Sequence, residues 1–138
     1  MIVSLDSNIF LSALISPKGI PALLYEAWRD DRFVLATCRY QMQELRDASR
    51  NPKFSRTLRR NQVGRMMNTL NRALIIHPLP RVHSAADPTD AFLLDLAVAA
   101  SADYLVTGDK RSGLLQLGKI KKARIVTAAQ FCHDILKL

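Results

Sequence analysis

The chain has 138 residues, 49% hydrophobic and 23% charged, which suits one globular domain spanning 1–138 with its own core and excludes disorder. Lys and Arg number 20 against 12 Asp and Glu, a formal net charge of +8. No apolar run approaches the roughly 18 residues of a membrane span, and Cys38 and Cys132 have neither paired-motif spacing nor the numbers for a disulfide framework or a thiolate metal site.

The first element expected is a strand over Ile2–Leu5, halted by Asp6 too early for a leader's apolar stretch and followed by the turn-forming Asp6, Ser7 and Asn8. A cytoplasmic protein is the expectation. Pro17 and Gly19 mark a break, and Pro21 suits the first turn of a helix carrying Leu23, Leu24, Ala27 and Trp28 on one face. Phe33–Ala36 reads as a second strand. Thr37 is placed to cap a helix that turns Met42 and Leu45 inward. After the break at Pro52 and a short turn around Phe54, the spacing of Val63, Met66, Met67, Leu70 and Leu74 predicts another helix. Its opposite stripe holds Asn61, Arg65, Asn68 and Arg72.

Leu74–His77 is a candidate third strand, ended by Pro78 and Pro80. Asp87, Pro88 and Asp90 then make a strong helix start, and Ala91–Ala102 is apolar nearly all round apart from Asp95, so this helix is expected to be buried. Tyr104–Val106 and Arg124–Val126 complete the strands, and Thr127 with Gln130 forms a capping box for a last helix. Strands alternating with helices predict an α/β fold, a three-layer α/β/α sandwich around a central parallel sheet. Ligands in such sheets bind beyond the carboxyl ends of the strands, near the switch in strand order.

Charge is distributed unevenly. Arg46, Arg50, Lys53, Arg56, Arg59, Arg60, Arg65 and Arg72 face one acid, Asp47, within their segment, and Lys119, Lys121, Lys122 and Arg124 form a second basic run. Clustered cations favour a polyanion, because each neutralised phosphate releases counterions. Arg65 and Arg72 are the best single candidates for phosphate contacts, as members of one stripe. The acids are equally uneven: ten are Asp and only Glu26 and Glu44 are Glu. Asp6 and Asp109 fall at or just past strand ends, and Asp87 and Asp90 open the buried helix. Asp95 and Asp103 read as solvent or loop residues, and His77, His83 and His133 show no ligand spacing.

If Asp6, Glu44, Asp90 and Asp109 converge, each pair of ionised carboxylates at about 4 Å repels by roughly 4 kcal/mol at an effective dielectric near 20. Such a group takes up protons or holds a cation. An all-oxygen set without thiolates or paired histidines suits Mg²⁺ or Mn²⁺, and such a cation activates water and offsets phosphodiester charge. Each acid also has a structural alternative: an Asx turn at Asp6, a helix cap at Asp87, a first-turn dipole partner at Asp90, a turn at Asp109 and a surface position at Glu44.

The segments IVSLDSNIFLSAL, YQMQELRD, DPTDAFLLDLAVAASADYLVTGDKR and IVTAAQF resemble a PIN domain, in particular the short stand-alone toxins of VapBC-type toxin–antitoxin pairs. The resemblance implies a Mg²⁺- or Mn²⁺-dependent endoribonuclease whose four acids are Asp6, Glu44, Asp90 and Asp109, supported by Asn8 and Thr107. Asp87 also aligns near the third acid; Asp90 is preferred because the apolar helix follows it at once. The resemblance further implies an RNA substrate, a homodimer and a small antitoxin that blocks the acids. The haloacid-dehalogenase pattern fails at Asn8, where it needs a second Asp, and the receiver pattern lacks its Lys after the fifth strand. A catalytically silent RNA- or protein-binding module on the same fold remains the alternative.

Overall fold

The computed structural model describes residues 1–85, 88–108 and 113–138. Asp87 and Asp109, both singled out above, lie outside them. The chain begins with β1 (Ile2–Leu5), α1 (Ser7–Ile15), α2 (Ile20–Arg29), β2 (Val34–Cys38) and α3 (Arg39–Arg50). It continues through α4 (Pro52–Ser55), α5 (Arg60–Leu70), β3 (Leu74–Ile76), α6 (Pro88–Ala99) and β4 (Tyr104–Thr107). The last elements are α7 (Gly113–Leu117), β5 (Lys119–Ile120), β6 (Ala123–Thr127) and α8 (Ala128–Gln130), which runs into a π-helical turn over Phe131–Ile135.

The sheet order is β3-β2-β1-β4-β6-β5. The pairings β3–β2, β2–β1, β1–β4 and β4–β6 are parallel, while β5 pairs antiparallel with β6. The central sheet is thus parallel, as expected, with one antiparallel strand added at its edge. The short edge strand has no sequence signature because two residues, Lys119 and Ile120, are too few for a periodic signal. Strand order reverses between β1 and β4, which makes the carboxyl ends of these two strands the switch point.

Alternate strand residues feed two apolar layers. Val3, Leu5, Leu35 and Val106 pack under α1, α2, α3 and α5 with Phe10, Leu24, Leu45 and Met66. Ala36, Cys38, Leu105 and Ile125 face the other way, against Phe92, Leu93, Leu96 and Leu114 of α6 and α7. This makes the α/β/α sandwich, and it explains why the central strands are apolar on both sides. Trp28 is core, as expected, but Leu23 is 40% exposed, because α2 turns only Leu24, Ala27 and Trp28 inward. Both cysteines are buried free thiols, their ionisation pushed up by burial. Among the described residues no single helix is long and apolar enough to cross a membrane.

Several elements differ from expectation. No turn separates β1 from the first helix, because α1 begins at Ser7 with Asp6 as its cap. Thr37 stays in β2 and Cys38 takes the position before α3 without a side-chain cap, so the Thr37 hydroxyl is left for other partners. Leu74 belongs to β3 rather than to the helical stripe, and α5 ends at Leu70, which leaves Arg72 in the turn beyond it.

The clearest correction concerns Asp95, which is 1% exposed rather than solvated. Its carboxylate accepts from the Val82 and His83 N–H groups at 3.0 and 2.8 Å, from His83 Nδ1 at 2.6 Å and from Arg81 Nε at 3.2 Å. A buried carboxylate is tolerated only with such partners, and here they fasten the segment before α6 to the helix. Asp103 ties the amino ends of the central strands β1 and β4, accepting from Ile2 N at 2.8 Å with Lys122 Nζ at 3.6 Å. Burial pushes the Asp95 carboxyl up, but the His83 ring and the His83 and Val82 N–H groups outweigh it and hold the group below its ordinary value of 3.8. A folded pKa below the unfolded one contributes stability that is complete above the ordinary value and is lost as pH falls through the folded one. Asp95→Ala should therefore destabilise by about 2–3 kcal/mol near neutral pH, as part-exposed Arg81 keeps solvent while the strap loses its acceptor. Urea melts should show the gap to wild type narrowing below about pH 4; a gap independent of pH would remove the carboxylate from this role.

Candidate active site

Leu5 is buried at the end of β1, and the next residue must leave the sheet while its N–H stays bonded. Asp6 N–H donates to Val106 O of β4 at 2.9 Å, which continues the ladder one step past the strand. Its side chain then starts α1: Oδ1 accepts from Asn8 N–H at 3.2 Å, the usual work of an Asp cap. Oδ2 accepts from the Thr107 hydroxyl at 3.3 Å, across the switch point. The Asx-turn alternative and the site reading are thus compatible, since one carboxylate oxygen caps the helix while the other meets the end of β4. Thr107 thereby bonds Asp6 from the end of β4. Asn8 bonds it through its main chain, and its side chain lies exposed on the cleft wall.

Glu44 arrives from α3 and is held by residues that sequence alone did not single out. The Ser7 hydroxyl donates to Glu44 Oε1. Behind it, Gln41 Nε2 donates to Leu5 O at 2.7 Å and to Ser7 Oγ at 3.3 Å, while Gln41 Oε1 accepts from Thr37 Oγ1 at 2.6 Å. Gln41 and Thr37 are both fully buried. The chain of donors has one direction: Thr37 to Gln41, Gln41 to Ser7, Ser7 to Glu44. Because Gln41 spends its amide protons on Leu5 and Ser7, the one hydroxyl proton of Ser7 is left for the carboxylate. A sequence signal existed in the polar residues Thr37, Gln41 and Glu44 at successive turns of one segment, but it reads equally as a solvated face.

Asp6, Ser7, Asn8, Leu11, Glu44, Leu45, Ala48 and Phe92 enclose a cleft of about 200 Å³ at the carboxyl ends of the strands. Asp90 stands half-buried in the first turn of α6, two residues before Phe92. Among the described residues no three Asp, Glu, His or Cys side chains form a group able to hold a metal ion. Asp6 and Glu44 are thus brought to one cleft, Asp90 is not among the residues that line it, and Asp109 lies outside the described residues, two positions past Thr107 in sequence. Arg65 is exposed and lines a different groove of about 490 Å³, between α1, α2 and α5, whose walls include Tyr25, Arg29 and Asn68. Arg72 is exposed beyond the end of α5, so the pair does not share a helix stripe.

Residues 3–111 match the model of the PIN domain family. The chain belongs to the PIN domain family. A PIN chain carries a nuclease-type fold, and PIN domains are generally nucleases that use divalent metals. Among curated proteins, an uncharacterized protein of Methanocaldococcus jannaschii is 27% identical over 110 residues, covering 78% of this chain and 70% of that one. No solved structure matches the chain significantly. The family accounts for the three-layer fold.

The donor chain sets an order of costs. Gln41→Leu keeps the volume but orphans the buried Thr37 hydroxyl and Leu5 carbonyl, so it should cost about 2–4 kcal/mol. Ser7→Ala, at the cleft wall, should cost about 1 kcal/mol. Denaturant unfolding of the two variants gives the comparison, and a costlier Ser7→Ala would show that Gln41 does not anchor the chain.

Proposed function

We propose that this PIN protein is a metal-dependent endoribonuclease. The observation that carries the reading is the joint presentation of Asp6 and Glu44 to one cleft at the switch point, each oriented by a hydroxyl donor. The donor set is all oxygen, which fits a hard divalent cation. Asp6, Glu44 and Asp90, joined by Asp109, would hold Mg²⁺ or Mn²⁺. Bound there, the ion supplies an activated water and neutralises charge on the phosphodiester. The chain's own part is to fix the acids: Thr107 and the Asn8 N–H hold Asp6, and Ser7 holds Glu44. Exposed Arg46, Arg50, Arg56 and Arg59 supply a field that draws a polyanion toward a negative cleft.

Within that function, the resemblance to VapBC-type toxins supports a cytoplasmic toxin, acting as a homodimer and inhibited by a small antitoxin laid over the acids. Arg65 and Arg72 are proposed as RNA contacts away from the cleft. Expression of the protein alone should slow growth, and a cognate partner should restore it; unimpaired growth alongside active nuclease would remove the toxin role and leave the enzyme.

Purified protein should cut RNA in Mg²⁺ or Mn²⁺ and lose cleavage in excess EDTA. Asp6→Asn and Asp109→Asn should each lower the rate by at least about 100-fold, a loss of roughly 2.7 kcal/mol in transition-state stabilisation. A second readout needs no activity. Relief of repulsion should let metal-free Asp109→Asn melt at or above metal-free wild type. Mg²⁺ at about 100 times its dissociation constant should stabilise wild type by about 2.7 kcal/mol and the variant clearly less. RNA binding without cleavage under all these metals would favour the silent binding module.

A further inference from the structure

The carboxyl ends of the strands carry more than acids. Along the order β3-β2-β1-β4, the acid cleft opens past the end of β1 between α1, α3 and α6, and the ends of β2 and β3 are followed by Arg39, Tyr40 and His77. Tyr40 is 46% exposed, an unusual setting for an aromatic side chain next to a polar cleft. It lies one helical turn before Glu44 on α3, so the two share a face. Its ring packs on Phe92 with centroids 4.8 Å apart at 58°, and Phe92 itself lines the cleft with Asp6 and Glu44. The Arg81 guanidinium stands over the Tyr40 ring at 5.3 Å and is fixed by Asp95, while Arg39 Nη1 lies 3.2 Å from His77 Nε2. An exposed aromatic ring packed on Phe92, with one guanidinium over it and a second exposed guanidinium on the adjoining residue, is an arrangement that receives an unpaired base and its phosphate.

We propose that Tyr40, with Arg81 and Arg39 beside it, forms a stacking site for an unpaired nucleobase of a single strand whose backbone passes the Asp6–Glu44 cleft. The inference rests on the nuclease reading and adds the path of the strand: across the ends of β2 and β3, not along the α1–α2–α5 groove that Arg65 lines. A base in a duplex keeps its own stacking partners and cannot use the ring. The site therefore selects single strands. Arg39 serves phosphate and carries the salt dependence.

Binding of a fluorescein-labelled single-stranded RNA of mixed sequence, followed by anisotropy in EDTA, tests the site with cleavage switched off. Tyr40→Leu keeps an apolar cover over Phe92 and removes the ring; it should weaken binding about tenfold. Tyr40→Phe should bind within about twofold of wild type. Arg39→Gln should lower the salt slope by about one unit. The same strand annealed to its complement should bind Tyr40→Leu and wild type alike, and melting curves of each variant report its fold. Wild-type affinity in Tyr40→Leu, or an equal loss in Tyr40→Phe, overturns the stacking site, and if wild type still cuts RNA the nuclease reading stands. Wild type that binds the strand and loses it on Tyr40→Leu, yet never cuts, keeps the stacking site and overturns the nuclease. A wild-type protein that neither binds nor cuts the strand overturns both.

Discussion

The junction at Asp6 is the constraint on which the rest of the site depends. β1 stops at Leu5 and α1 starts at Ser7, so one residue must end a ladder, start a helix and carry a charge. It does so with its N–H on Val106, one carboxylate oxygen on Asn8 N–H and the other on the Thr107 hydroxyl. Because β1 lies between β2 and β4, this residue stands at the centre of the sheet and not on a movable rim. Ser7 and Leu5, the residues on either side of it, are the two acceptors of the Gln41 amide. The orientation of Glu44 is therefore coupled to the same junction through two hydrogen bonds.

Most of the fold was legible because its signals are local and periodic. The apolar run of α6, the Thr127–Gln130 capping box and the short β-like runs of β1 and β4 stood where the sequence placed them. The failures have physical causes. Thr37 looks like a cap by composition, yet the strand register with Ile75 keeps it in β2. Asp95 looks like a helix-surface acid, because nothing in its neighbours reveals that the distant residues 81–83 will fold onto it. For the site, Asp6 and Glu44 were readable as candidates and Asn8 and Thr107 as polar supports, while the residues that hold Glu44 were not. Ser7 and Gln41 are ordinary polar residues until tertiary structure brings them within hydrogen-bonding distance, 34 positions apart.

Two charged residues inside or beside the apolar α6 have opposite fates. Asp95 is saturated by donors from one strap, so its charge is spent on structure. Asp90, five positions earlier, keeps a half-buried place at the helix start, where the dipole favours a negative charge. The strap that Asp95 holds also carries Arg81 to Tyr40, so the same carboxylate that closes the structure on one side sets a cation beside an exposed ring on the other.

The antiparallel β5 protects one border of the sheet. Its outer side would otherwise offer unpaired main-chain groups to a neighbouring strand, the usual route to uncontrolled sheet growth. Two residues offer too little length for a register, and Lys119, with Lys121 and Lys122 in the turn after it, brings like charges face to face in any such pairing. This border of the sheet is thereby poorly suited to self-templating.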